Sequence, residues 1–184
     1  MKSETAPASQ TGVNPNTETA PSQTELSFSP RELRNALGLF PTGVTVITAQ
    51  DGNGEPLGIT VSSFNSVSLD PPLVLFSVAR SSTSLQALSA APAYAVNVLR
   101  QSQADISNHF ARSATKTWEK IAHRPGVTVS PLLGGATVSF ECEPHATHDG
   151  GDHVIFVGKV VAFRTSGAAE PLVFFNGSYR EIRG

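Results

Sequence analysis

Four stretches of this chain bring together residue types that can do chemistry. The first, Gly58 to Pro72, is crowded with small hydroxyl residues: Thr60, Ser62, Ser63, Ser66 and Ser68. Small side chains let a flat ring lie against a strand backbone. Hydroxyls beside exposed N–H groups can meet ring carbonyls, ring nitrogens and a polyol chain. The same composition suits a Ser/Thr-rich edge strand that faces water. The second stretch, Arg80-Ser81-Ser82-Thr83-Ser84-Leu85, follows an apolar run and opens a helix. Backbone N–H groups at a helix start, with hydroxyls and one guanidinium, make an anion site fit for a phosphate. An ordinary capped helix with a solvated arginine has the same sequence.

The third stretch, His145 to His153, holds three histidines and two aspartates, the donor types of a metal centre. In a tight hairpin, alternate side chains leave opposite faces and do not easily converge on one ion. Asp149 and Asp152 bracket Gly150-Gly151, as a hairpin turn demands. No metal is therefore expected, and His153, opening the next strand, is the residue left to point into a site. The fourth stretch, Phe174 to Arg180, is an aromatic-ended strand followed by a glycine turn. Tyr179 can stack on or hydrogen-bond a nucleotide there, or pack on the body of the fold. Cys142, the single cysteine, lies in the apolar run Val138 to Cys142 and reads as a small core or interface residue without chemistry. Trp118 can anchor a loop, and the sequence leaves its role open.

These stretches need elements to hold them. Ser29-Pro30-Arg31-Glu32 starts a helix: serine caps, proline suits the first position, and glutamate completes a capping box. Leu33, Ala36, Leu37 and Phe40 recur at helical spacing until Pro41 stops it. Val44 to Thr48 is β-branched and extended, and Asp51 to Gly54 turns it into a second strand, Leu57 to Phe64. Pro71-Pro72 breaks the chain before a strand from Leu73 to Val78. A short helix from Ser84 to Ala90, a strand from Ala93 to Leu99, and a helix capped by Ser102 and ending near Phe110-Ala111 follow. Two long strands, Ala136 to Ala146 and His153 to Phe163, and a last one, Leu172 to Phe175, complete about seven. Many short strands with small helices between them predict a mainly β fold, a closed or nearly closed barrel. No G-x-G-x-x-G turn occurs, so a nucleotide would not bind in the Rossmann manner.

Composition sets the outer bounds. A chain of 184 residues can bury a full core without staples. Met1 to about Glu25 is Ser, Thr, Pro, Gln, Asn and Ala with almost no large apolar residue, and reads as a disordered tail before one domain over residues 26–184. The net charge of −2 offers no basic footprint for nucleic acid or an anionic membrane. A lone thiol cannot form an intrachain disulfide, and no signal peptide or membrane-spanning run is visible. The expectation is a cytoplasmic protein.

Taken in order, several segments resemble the flavin reductase family that serves two-component flavin monooxygenases. They are Phe40 to Thr48, Gly58 to Phe76, Tyr94 to Leu99, His109-Phe110-Ala111, Gly150 to His153 and Leu172 to Tyr179. The resemblance covers the chain from about Ser29 to Ile182. It implies a split β-barrel that forms a homodimer, with FAD or FMN near the dimer interface and NADH, or NADPH, as reductant. It puts the flavin ring and ribityl on Pro56, Leu57, Gly58, Ile59, Thr60, Ser62 and Ser63. It puts the flavin phosphate on Val78, Ala79, Arg80, Ser84 and Leu85, with a further contact at Phe110-Ala111. It puts the nicotinamide dinucleotide on Asn176, Gly177, Ser178 and Tyr179, with His153 beside the ring as the catalytic residue that orients it. Asn176 stands where some relatives carry a basic residue, which leaves NADH against NADPH open. The implied activity is reduction of flavin by a nicotinamide cofactor, with reduced flavin passed to a partner oxygenase. Two other functions fit such a barrel: a flavin-binding electron carrier, and an oxidase of the pyridoxamine-phosphate type. The first needs no nicotinamide pocket, and the second needs a more basic phosphate site than Arg80 alone supplies.

Overall fold

The computed structural model describes residues 27–112, 117–167 and 169–182. The reading of Met1 to Glu25 lies outside them. Helix α1 (Pro30–Leu37) begins at the expected capping box: Ser29 Oγ accepts the Glu32 N–H at 3.2 Å, and the Glu32 carboxylate accepts the Ser29 N–H at 2.7 Å. No residue of α1 is buried, and Leu37, just inside its end, is 65% exposed. The helical spacing is real, but its apolar residues are not buried within the described chain.

Twelve strands follow among the described residues. β1 (Thr42–Gly43), β2 (Thr45–Gln50), β3 (Pro56–Val61), β4 (Asn65–Leu69) and β5 (Pro72–Ala79) precede helix α2 (Leu85–Ala90). β6 (Tyr94–Val98) leads through a 3₁₀ turn at Gln101–Gln103 into helix α3 (Ala104–Ala111). Then come β7 (His123–Pro125), β8 (Pro131–Leu133), β9 (Val138–Gly150), β10 (His153–Thr165), β11 (Val173–Phe175) and β12 (Ser178–Arg180). No helix among the described residues is long and apolar enough to cross a membrane.

Seven strands form one antiparallel sheet in the order β3-β2-β6-β9-β10-β5-β4. β3 and β4 are neighbours in sequence yet stand at opposite ends of that order, so the sheet must coil until its edges approach. The edges do not pair as strands. Ser63, in the link from β3 to β4, instead bonds β5, the strand next to the β4 edge: its Oγ accepts the Ser77 N–H at 2.8 Å and donates to the Ser77 carbonyl at 3.3 Å. The result is a split barrel. Inside it, Phe76 stacks on Phe156 at 5.2 Å and meets the edge of Tyr94 at 5.1 Å, with Ile47 and Val96 filling beside them. A second apolar cluster, with Val46, Leu99, Phe110 and Leu172, fills the outer side of β2. Strand β2 is buried on both faces for that reason, which explains its run of β-branched residues.

The structure departs from the sequence reading in four places. The strand expected over Leu57 to Phe64 ends at Val61, because the chain must there leave β2 and cross to the other edge; β4 is a separate strand. The long hairpin runs further than Ala146, to a two-residue turn at Gly151-Asp152 with Gly151 at φ +74°. Ser102 does not cap α3 but lies inside the 3₁₀ turn, where Gln103 Oε1 accepts the Arg100 N–H at 3.1 Å. The glycine turn after Phe175 falls at Asn176-Gly177 as expected, at φ +47° and +75°, but a further strand, β12, follows and closes a β11–β12 hairpin. Asn-Gly is the pair such two-residue turns favour.

Candidate active site

Strand alternation builds the site. His153 pairs with Ala79 on β5 and with Gly150 on β9, and Ile155 pairs with Ser77. Cross-strand partners and residues two apart share a face, so Ser77, Ala79, Gly150, His153 and Ile155 lie on one side of the sheet. Their neighbours Phe76, Val78, Val154 and Phe156 pack into the barrel core. The site is therefore on the outer wall of the barrel, beside the seam. Across the seam stand Ile59 to Ser63, and together these residues line an open cleft of ≈ 500 Å³. That volume lies in the range of small-molecule sites. The walls are small residues, hydroxyls and backbone, so a flat ring meets little steric resistance.

His153 is held by the hairpin tip. Its Nδ1 lies 2.6 Å from Asp152 Oδ1, and its Nε2 makes no hydrogen bond among the described residues. The hydrogen bond from His153, and then its charge, hold the Asp152 carboxyl below its ordinary value. Arg80 is committed to the same tip: Nε donates to the Gly151 carbonyl at 2.8 Å, and a terminal nitrogen pairs with Asp149 at 2.8 Å. Hydrogen bonding from Arg80, then from the Gly151 N–H, lowers the Asp149 carboxyl too. Both pairs are exposed, so they orient the tip more than they stabilise the fold.

A second hollow of ≈ 170 Å³ adjoins the first and shares Thr60, Val61 and Ser62 with it. Tyr179, Phe174, Ala111 and Ser107 close its other side. Tyr179 Oη donates within 2.8 Å of Ser107 Oγ and 3.1 Å of Asn108 Oδ1. Thr60 Oγ1 donates to the Ser107 carbonyl at 2.7 Å, which ties β3 to α3.

The residues singled out from sequence thus divide. Ile59, Thr60, Ser62, Ser63, Val78, Ala79 and His153 meet at the main cleft, and Ala111 and Tyr179 at the smaller hollow. Tyr179 does not share a cavity with His153, as the resemblance had implied; the end of β3 stands between them. Val78 reaches the cleft only through its backbone, since its side chain is 1% exposed. Gly58 and Phe110 are packed on each other in the interior: a Cβ on Gly58 would lie 2.5 Å from the Phe110 ring. Their side of the structure is core, not cleft. Pro56 and Leu57 lie at the opposite end of β3, paired with Gln50 and Ala49. Ser84 and Leu85 begin α2, a helix of 6 residues, and Leu85 packs on the core. Asn176, Gly177 and Ser178 line neither cavity; the Asn176 N–H donates to the Gly38 carbonyl at 2.8 Å. Val61, Ser77, Gly150 and Ile155 were not singled out. The i, i+2 spacing of Ser77 with Ala79 and of His153 with Ile155 is the signal that would have found two of them. Cys142 is a buried thiol pushed up to about 12, chiefly by burial, and so carries no nucleophile.

Comparison with known proteins decides the family: the flavin reductase like domain matches residues 37–183. The chain belongs to that family. This flavin reductase like domain is 45% identical over 140 residues to a probable flavin reductase of Rhizobium meliloti, covering 76% of this chain and 45% of that one. It is 46% identical over 154 residues to an FMN reductase (NADH) of Agrobacterium fabrum, covering 81% and 84%. Among solved structures it matches the NADH:FAD oxidoreductase of Streptomyces globisporus in complex with NAD and FAD fragments, at a TM-score of 0.79 and 39% identity, covering 83% and 92%. The chain spans about half the length of the curated relatives it matches from Rhizobium meliloti and Acinetobacter baylyi.

Proposed function

We propose that this domain reduces FAD or FMN with NADH, or NADPH, and delivers the reduced flavin to a separate oxygenase component. The observation that carries this is the placing of His153 across a shallow cleft from the small hydroxyl-bearing rim Thr60 to Ser63. The printed activities of the Agrobacterium and Streptomyces relatives support it. The cleft fits a flavin on chemical grounds: low walls for a ring, and hydroxyls at Ser62, Ser63 and Ser77 for its polar edge. When bound, the two cofactors supply the reactivity between them, a hydride passing from nicotinamide C4 to flavin N5. The chain's work is positional. Ser63 and Ser77 hold the two lips of the seam at a set separation. Asp152 fixes the His153 ring through Nδ1 and leaves Nε2 unbonded among the described residues, the edge that would orient a nicotinamide amide. Arg80 keeps the hairpin tip in place; paired with Asp149, it is not among the residues that line the cleft.

A homodimer belongs to the same reading. Leu69, Phe40, Phe163 and Leu39 are 94, 73, 67 and 61% exposed, apolar side chains that a partner subunit would cover. Light scattering is expected to give about twice the 19.3 kDa chain mass. The decisive experiment pairs NADH kinetics with flavin titration. NADH oxidation should scale with added flavin and be indifferent to a chelator. His153→Ala should lower kcat/KM for NADH about tenfold to a hundredfold, roughly 1.4 to 2.7 kcal/mol, with flavin affinity almost intact. Loss of flavin binding with normal NADH kinetics would assign His153 to the flavin instead.

A further inference from the structure

The far end of β10 carries a second concave site, on the order of 30 Å from His153 at the rise of a β-strand. It has a volume of ≈ 370 Å³ and lies between the end of β10, the start of β9 and the Gly134-Gly135 turn after β8. Arg124 and Arg164 both line it, and no carboxylate does. Neither arginine forms an ion pair among the described residues. Arg80, at the other end of the barrel, is the arginine that is paired with a carboxylate among the described residues, Asp149; what distinguishes Arg124 and Arg164 is that they line one hollow together.

The rest of the lining is suited to a ligand with a polar head and a small apolar body. Leu132 and Leu133, 3% and 4% exposed, form a floor of buried apolar side chains. Gly135 turns at φ +78°, so the rim there is backbone without a side chain above it. Ser166 stands at the edge, its Oγ donating to the Ala136 carbonyl at 2.7 Å and accepting from Arg100 at 3.0 Å. Arg100 reaches only the back of Ser166 and itself lines a separate hollow together with Glu170. Two guanidinium groups lining one hollow with no carboxylate among its walls, in a chain of net charge −2, create a local field that attracts an anion. Planar guanidinium forks match phosphate oxygens in pairs.

We propose that this hollow binds a phosphate monoester, such as a mononucleotide or a phosphorylated metabolite, separately from the cleft at His153. The site is too small for a dinucleotide, and its lining offers nothing to a cation.

The test is amide chemical-shift titration of the full chain with AMP, adenosine and inorganic phosphate at low ionic strength. AMP is expected to shift Gly134 and Gly135 saturably, whether or not it also shifts Ala79 and Ser63 at the other cleft. Adenosine should leave Gly134 and Gly135 unmoved. Inorganic phosphate moving them as strongly as AMP would mark the site as one for the phosphate head alone, still in support. Arg124→Ala and Arg164→Ala should each weaken the Gly134 and Gly135 response about tenfold, with Arg164→Lys intermediate. NADH oxidation and melting temperature of these variants should match the unchanged protein, since both side chains are exposed and remote from the cleft. The proposal is overturned if AMP and phosphate shift only the His153 cleft, if adenosine acts like AMP, or if the double alanine variant responds as before.

Discussion

The barrel wall of β2, β6 and β9 and the seam between β3 and β5 are made from similar residues and end in opposite states. In the wall, Asn97 is fully buried and uses its amide completely. Its Nδ2 donates to the Val46 carbonyl at 3.1 Å and to Thr48 Oγ1 at 3.0 Å; its Oδ1 accepts from the Leu133 N–H at 3.0 Å and from Ser139 Oγ at 2.8 Å. Nothing is left over for a ligand. At the seam, one serine substitutes for a strand ladder, and the neighbouring hydroxyls and backbone face outward. The difference teaches where a barrel of this kind can host chemistry: at the place where its own hydrogen bonding is incomplete. Where polar groups saturate one another they become structure.

The comparison can be broken most severely in the wall. Asn97→Leu keeps the volume but leaves the Leu133 N–H and the Ser139 hydroxyl buried without their acceptor. Each such group costs about 1 to 3 kcal/mol, so urea unfolding should show a loss of about 3 kcal/mol. Flavin affinity measured well below the new transition should change little. A loss under about 1 kcal/mol would mean that the wall is held by packing and that the amide is incidental.

The seam should answer the other way round. Ser63→Ala removes two contacts of an exposed side chain and should cost no more than about 1 kcal/mol of stability. Its effect on flavin binding, read by fluorescence titration, should be larger than its effect on folding, about threefold to tenfold in Kd for a lost net hydrogen bond. If stability falls and flavin affinity does not, Ser63 is a structural clasp and the ring binds elsewhere.

The smallest effect concerns the hairpin tip that carries His153. Asp149 and Asp152 both have carboxyls held below their ordinary value of 3.8. A depressed folded-state pKa contributes stability that is present above the unfolded value and lost as pH falls through the folded one. The tip should therefore be unchanged from neutral pH down to about that ordinary carboxylate value and loosen only below it. Hydrogen exchange of the Gly151 amide, which donates to Asp149 at 3.0 Å, reads this directly. Protection lost already at pH 6 would rule out the two carboxylates as its cause.

Much of this was legible in the chain itself. The capping box at Ser29, the β-branched run of β2 and the presence of a hairpin turn near Gly151, one residue later than the expected Gly150-Gly151, are local signals, set by covalent geometry and nearest-neighbour hydrogen bonding. His153 stands out among three histidines as the one that opens a strand; alternation alone does not separate it from His148, which pairs with Ile155 on the same face. The hydroxyl-rich stretch after Gly58 marked one lip of the cleft.

The other lip could not be read in the same way. Ser77 and Ile155 join the site only because β5 and β10 pair in one register, and nothing within either strand specifies its partner. Phe110 and Gly58 carry the same lesson in reverse. Their motifs suggested ligand contacts, yet long-range packing turned the ring inward against the one strand position that has no Cβ to obstruct it. Tyr179 was legible as an aromatic after a turn, but which side of β3 it would occupy depended on α3 offering Ser107 as its partner. The sequence by itself determined the elements, their faces and the residue types at each site, because those depend on a few neighbouring residues. Tertiary structure decided which faces meet across the seam, because a coiled sheet brings together edges far apart in strand order, and only that closure creates a cleft with two sides.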